Sequence, residues 1–116
     1  MPQDKPARPN FIELPTHDIA AAQAFYAAAF GWTFTDYGPD YVAFDGAATD
    51  GGFNGHVDDA HPAPLVILYA HDLEAMQAKV ESAGGKLVRE IRSFPGGRRF
   101  HFADPCGNIL GVWSTD

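Results

Sequence analysis

Apolar and polar positions change rhythm along this 116-residue chain, and the two halves change it in the same order. NFIELPT alternates as a short strand and is ended by Pro15. Asp18 is an N-cap for IAAAQAFYAAAF, and Gly31 stands where a helix would stop. Ile19, Ala22, Tyr26 and Ala29 recur at helical spacing, with Phe25 and Phe30 expected to widen the stripe. WTFTDY, YVAFD and AATDGGF follow as three short strands between Gly, Pro and Asp turns. NGHVDDAHPAP reads as a linker, and then the programme restarts. PLVILYA is an apolar strand, and Asp72 caps LEAMQAKVESA, where Leu73, Met76, Val80 and Ala83 make one stripe ended by Gly84-Gly85. GKLVREI, RRFHFAD and NILGVWS complete the chain as strands, the last two joined by a type I turn at Asp104-Pro105-Cys106-Gly107.

The restart is an internal repeat. A shift of 54 lays HDIAAAQAFYAAAFG on HDLEAMQAKVESAGG with seven identities in fifteen, and sets FIELPT on LVILYA. Alanine-rich helices match cheaply, so the agreement in strand, cap, helix and glycine stop, in one order and phase, carries more weight. The reading is α+β: a proline-rich tail over 1–9, then one domain over 10–114. That domain is two β-α-β-β-β units, unit one at 10–55 and unit two at 64–114, with a linker at 56–63. A unit of about 50 residues is too small to bury its own sheet face, so the two must pair, within a chain or across a dimer.

Composition narrows the function classes. Apolar residues make up 46% and charged residues 20%, the profile of a folded globular protein. A net charge of −7 is the wrong sign for nucleic acid. No apolar run approaches the ~18 residues of a membrane span, and no signal-peptide core is present, so a soluble cytoplasmic protein is expected. The single cysteine, Cys106, excludes an internal disulfide framework and a cysteine-clustered zinc site, and is expected to be inert in an exposed turn. Charge is uneven: residues 1–63 hold nine acids and two bases, while Arg89, Arg92, Arg98 and Arg99 fall within eleven residues. Those arginines are either a salt-bridged edge or, for one or two of them, contacts to an anionic ligand.

FIELPTHDIAAAQAFYAAAFGW in the first unit, with LYAHDLEAMQAKVESAGGKLV and FADPCGNILGVW in the second, resembles the vicinal oxygen chelate superfamily. This is the glyoxalase, bleomycin-resistance and extradiol-dioxygenase group, and the resemblance covers residues 10–114. It implies two units curving into an open eight-stranded barrel-like sheet, with helices outside and a ligand between concave faces. It also implies, for metal-using members, one divalent ion held by His and Glu side chains from the first and last strand of each unit. Carried over, those positions are Phe11, Leu65, Gly111 and a site near Gly51 or Gly52, none of which ligates through a side chain. No metal and no other cofactor is therefore expected.

If apolar faces pack under the helices, alternation leaves Phe11, Glu13, Tyr41, Ala43, Leu65, Ile67, Tyr69, Arg99, His101, Ile109, Gly111 and Trp113 on the cavity side. This is an aromatic pocket with one carboxylate, one guanidinium and one imidazole, suited to a planar organic molecule with one or two polar handles. Glu13 is either a general base or acid, its pKa raised by desolvation, or an anchor paired with Arg99 or backbone donors. His101 is either a proton shuttle or a lining residue. Arg99 is either a fork for a carboxylate or phosphate, or a salt-bridge partner. Trp113 and Tyr69 either stack on a ligand or pack at a seam. His56 and His61, with Asp58 and Asp59 between them, either catch a surface metal or lie in a linker that binds nothing. His17 and His71 precede the two helix caps and are expected to be structural; Gly96-Gly97 makes a pliable loop for which a lid is conceivable.

The expected function is metal-independent binding of a small organic ligand, with Phe11, Tyr41, Leu65, Ile67, Tyr69, Arg99, Ile109 and Trp113 as ligand residues. The alternative is an enzyme of lyase, isomerase or dioxygenase type, using Glu13 with His101 or a non-standard metal site. A third reading is an accessory module with a vestigial pocket. Exposed sheet edges and an apolar concave face lead to the expectation of a homodimer, without nucleic acid or membrane as partner.

Overall fold

A computed structural model describes residues 7–46, 49–56 and 61–115. β1 (Arg8–Pro15), α1 (Ile19–Phe30), β2 (Thr33–Asp36), β3 (Tyr41–Asp45) and β4 (Gly51–Asn54) come first. β5 (Leu65–Tyr69), α2 (Leu73–Ser82), β6 (Lys86–Phe94), β7 (Gly97–Ala103) and β8 (Ile109–Ser114) repeat the series. The strand order is β2-β3-β4-β1 in the first set and β6-β7-β8-β5 in the second. In each, the first and last strands run parallel while the rest pair antiparallel. A parallel pair needs a long crossover, and the helix after each first strand begins it. These are the two β-α-β-β-β units, and the α+β class, read from the sequence.

Local chemistry explains why the helices start and stop where they do. Asp18 accepts from the Ala21 N–H at 3.0 Å and Asp72 from the Ala75 N–H at 3.1 Å, the same offset in both copies. Gly31 ends α1 in the left-handed region at φ 75°, its N–H bonded to the Ala27 carbonyl. The turn before β8 is built on Asp104. Its carboxylate accepts from the Cys106 and Asn108 N–H groups at 2.8 and 2.9 Å and from the Asn108 side-chain amide at 2.8 Å.

The chain divides into two compact units, Phe11–Leu65 and the remainder. In the first, Val42, Phe44 and Phe53 are buried on one sheet face. Tyr26 of α1 lies 5.1 Å from Phe53 and stacks at 4.9 Å on Trp32, which in turn meets Phe44 at 4.5 Å. In the second, Ala70, Leu73, Phe100 and Val112 form the core, surrounded by Leu68, Met76, Val80, Leu87, Ile91 and Phe102. Both cores lie on the helix side, which is where alternation puts them.

Adjacent glycines let β4 fit beneath β3. A Cβ at Gly51 would collide with the Phe44 ring and with the Ile12 carbonyl. A Cβ at Gly52, pointing the other way, would come within 2.6 Å of the Tyr41 ring. Each glycine is thus roofed by an aromatic ring from the neighbouring strand, on opposite faces of the sheet.

Four details depart from the sequence reading. Phe25 and Phe30 do not widen the buried stripe; they are 58% and 62% exposed, lying off the face that Tyr26 turns to the sheet. β1 opens at Arg8, inside the segment read as a tail, because the residue before a proline is driven to extended backbone. Residues before Phe11 group with the second unit, where Asn10 accepts from Trp113 Nε1 at 3.1 Å and Ala7 packs on the core; residues 1–6 lie outside the described chain. The Gly96-Gly97 loop is a hairpin tip: β6 runs on to Phe94, which pairs with Gly97, leaving only Pro95 and Gly96 to turn. Pro fixes the first turn position and Gly96, at φ 118°, supplies the second, so a lid has no length to form from.

Gly51→Ala should lower unfolding free energy by about 2–3 kcal/mol in urea denaturation, since backbone as well as ring stands in the way. The Asp104 carboxyl is held below its ordinary value of 3.8, chiefly by the Asn108 side-chain amide and then by backbone N–H groups. Its contribution is therefore complete above that pH and is lost as pH falls through the lower folded value. Asp104→Asn should flatten the acid-side decline of the melting temperature.

Candidate functional site

Each unit has a second sheet face, turned away from its helix, and this face carries the polar chemistry. In the first unit the cross-strand register sets Glu13 beside Gly52 and Gly52 beside Ala43, with Asn54 beside Tyr41. Glu13 is only 2% exposed. Tyr41 Oη donates to its Oε2 at 2.9 Å and Asn54 Nδ2 to its Oε1 at 3.2 Å. Asn54 is itself oriented by the His56 N–H, which donates to Oδ1 at 2.9 Å. Both carboxylate oxygens therefore accept from side chains, the arrangement of a charge that is held in place. Tyr41 can reach Glu13 only because Gly52 leaves room beneath its ring. Phe11, half-buried, is on this face by alternation.

In the second unit the corresponding face holds Ile67 beside Gly111, with His101 across from Gly111, and Tyr69 beside Trp113, with Arg99 across from Trp113. Ile109 pairs with Ala103 on the same face; Leu65, fully buried at the start of β5, groups with the first unit. Tyr69 and Trp113 meet edge to face at 5.0 Å, and Phe94 lies 6.2 Å from Trp113. Arg99 is 8% and His101 2% exposed, and Arg99 Nη2 stands 3.0 Å from His101 Nε2. A guanidinium only donates, so Nε2 is the acceptor and the ring proton sits on Nδ1. The lone pair a metal or a proton would need at Nε2 is thus directed at a cation.

The residues singled out from sequence fall into two groups, one per unit. Glu13, Tyr41 and Phe11 share the first face; Ile67, Tyr69, Arg99, His101, Ile109 and Trp113 share the second. One contributor was not singled out, Asn54, which completes the Glu13 anchor; Arg89 and Arg92, named only as part of the arginine cluster, lie on the second face. Asn54 lies two residues beyond Gly52 on the same face as Glu13, a signal that alternation offers once the strand pairing is known. Arg98 turns to the helix side and forks onto Glu74 of α2 at 2.6 and 3.0 Å, holding that carboxyl below the usual range. His17 and His71 are exposed, and the His71 carbonyl accepts from Ser114 Oγ at 3.2 Å. His56 stands 3.8 Å from Asp40; Asp58 and Asp59, invoked with it as a surface metal site, lie outside the described residues.

The register also identifies the fourth position at which the resemblance implies a metal ligand. Glu13 pairs with Gly52 as its repeat counterpart Ile67 pairs with Gly111, so Gly52, rather than Gly51, is the equivalent of Gly111. Two of the four positions have no side chain and the others are Phe11 and Leu65. Among the described residues, no group of three His, Cys, Asp or Glu side chains comes together. The residues present do not fit a family metal ion.

A four-stranded β-α-β-β-β sheet used twice, with its polar chemistry opposite the helix, defines a glyoxalase-type fold. The sequence matches the Glyoxalase/Bleomycin resistance protein/Dioxygenase superfamily over residues 8–112, and the chain belongs to that superfamily. It is similar to anthracycline biosynthesis protein DnrV of Streptomyces peucetius, 32% identical over 129 residues covering 93% of this chain and 47% of DnrV. The chain spans about half the length of the curated relatives it matches. The fold is shared with methylmalonyl-CoA epimerase from Mycobacterium tuberculosis, with TM-score 0.72, 14% identity and coverage of 100% of this chain and 96% of that one. It is also shared with a superfamily member from Vibrio splendidus 12B01, at TM-score 0.68, 19% identity and coverage of 94% and 99%. No helix among the described residues is long and apolar enough to cross a membrane.

Removing the Tyr41 hydroxyl should expose what the Glu13 anchor contributes. Tyr41→Phe should cost about 1.5–3 kcal/mol in urea denaturation, as expected for a hydrogen bond to a buried charge. Combined with Glu13→Gln, the loss should fall well short of the sum of the two single losses.

Proposed function

We propose that this chain binds a small, flat organic molecule without the help of a metal, on the sheet face of the second unit. The observation that carries this reading is the Tyr69–Trp113 pair, two half-buried rings at 5.0 Å, standing beside the buried Arg99 and His101. Rings locked edge to face offer an apolar wall with little side-chain entropy left to lose, and the polar groups beside them set orientation. The similarity to a protein named for anthracycline biosynthesis supports a fused-ring aromatic ligand. The glycines at 52 and 111 support metal independence, since they leave the sheet without donors where the superfamily places its ion. In the first unit, the carboxylate of Glu13 engages Tyr41 and Asn54 through both oxygens, which supports a holding role over a proton-transferring one.

A thermal-shift screen of fused-ring aromatics, aromatic acids and aldehydes tests this reading. A ligand at 100 times its dissociation constant stabilises by about 2.7 kcal/mol. For a domain of this size that is a rise in melting temperature on the order of 10 °C or more. Chelator should leave both the melting temperature and the ligand shift unchanged, and Trp113→Leu should abolish the shift. A panel without any hit, or a hit that depends on one tightly held divalent ion per chain, would overturn the proposal.

A further inference from the structure

α1 is apolar on two sides, and the first unit covers only one of them. Ile19, Ala22 and Tyr26 turn inward and are half-buried. Ala21, Ala24, Phe25 and Ala28, spaced i, i+3, i+4, i+7, make a second stripe on the opposite side, and all four are exposed. The helix has no buried residue, and its sequence IAAAQAFYAAAF has no charged one. A helix apolar all round belongs in an interior. The internal repeat supplies the control. Moved by 54 positions, the exposed Ala20, Phe25, Ala27 and Ala28 become Glu74, Lys79, Glu81 and Ser82 of α2, which are exposed too but polar. The same helix position in the same fold is thus built for water in one unit and not in the other. Phe25 and Phe30 are 58% and 62% exposed, yet their rings are held in place. Phe25 meets Tyr26 at 5.0 Å and Phe30 at 6.3 Å, and Phe30 meets Trp32 at 6.0 Å. Side chains already held lose little freedom when they are covered.

We infer that two copies of this chain meet through the outer face of α1, the helices antiparallel about a two-fold axis. An uncharged face cannot select a partner by opposite charge, but this one complements itself. A two-fold axis through the middle of the stripe sets Phe25 of each copy against Ala24 of the other, and Ala21 against Ala28. Each ring then meets a methyl group and no ring faces its own image, the alternation of large and small that lets facing layers interdigitate. The area suits this occupant. Phe25 and Phe30 offer roughly 120 Å² each and the alanine face about as much again, so two copies together cover about 1,000 Å², the lower bound for a specific interface. That is the size of a reversible dimer. Each copy also brings its acid-rich half, nine acids against two bases over residues 1–63, so the copies repel until salt screens them. The contact involves the first unit's helix alone and is independent of ligand binding by the second unit.

Sedimentation velocity of the full chain from about 1 to about 100 µM tests this contact, the range in which an interface of that size dissociates. The chain should pass from monomer to dimer across the range. The dimer should tighten severalfold between about 50 and about 500 mM salt, the reverse of a contact made by opposite charges. Phe25→Lys, the residue α2 carries at the same place, should weaken the dimer at least tenfold. Because Phe25 also touches Tyr26 and Phe30, Ala28→Lys serves as the second variant and leaves the aromatic cluster intact. It should weaken the dimer as much, with the melting temperature of the dilute monomer unchanged. A chain still monomeric at the highest concentration, or a dimer indifferent to both substitutions, would overturn the inference. So would a face that holds a different protein while the chain itself stays monomeric.

Discussion

Each unit has one helix with which to cover a four-stranded sheet, and a helix covers one face only. The chemistry of the chain follows from that. The face beneath α1 receives Val42, Phe44 and Phe53; the face beneath α2 receives Phe100, Val112 and Leu68. Period-two alternation then obliges the intervening residues to point the other way, and these are Glu13, Tyr41, Arg99, His101 and Trp113. A single-residue slip would carry Glu13 in β1, or Arg99 and His101 in β7, under a helix. The register is therefore held by the full set of buried apolar side chains, at about 1.5–3 kcal/mol each.

Glycine decides what the polar faces can do. In β4, Gly51 and Gly52 admit Phe44 on one side and Tyr41 on the other, and the second of these rings brings its hydroxyl to Glu13. In β8, Gly111 occupies the equivalent place between Ile67 and His101. Neither Gly52 nor Gly111 offers a side-chain donor, and the space above Gly52 is taken by the Tyr41 ring. Among the described residues, His101 is the imidazole on these faces, and its Nε2 is directed at Arg99. The same sheet that elsewhere presents ligands to an ion here presents a held carboxylate in one unit and a cationic, aromatic wall in the other.

The two units are alike in strand order, caps and core, yet the polar faces differ, one carrying the Glu13 carboxylate and the other Arg99 and His101. Unit two is the longer, because β6 has nine residues where β2 has four. The repeat shift accordingly grows from 54 at the first strand to 59 at the last. That added length is where the two register irregularities sit and where Arg89 and Arg92 enter.

Periodicity, caps and the internal repeat were enough to determine the number of units, the order of strand and helix in each, and the face on which Glu13, Tyr41, Arg99, His101 and Trp113 stand. These follow from local rules, a period of 2 or 3.6 and a polar cap, which act within a few residues. The partners of Glu13 were beyond such rules, since Tyr41 and Asn54 are 28 and 41 residues away and meet it only through the pairing of β1, β3 and β4. So was the identity of the position equivalent to Gly111, which a register and not an alignment assigns to Gly52. The exposure of Phe25 and Phe30 depends on how wide a face the sheet offers α1, a quantity the helix's own sequence does not contain. Arg89 and Arg92 mark the limit most clearly. Their spacing says opposite faces, and only the bulges that the pairing of β6 with β7 imposes put both arginines on one.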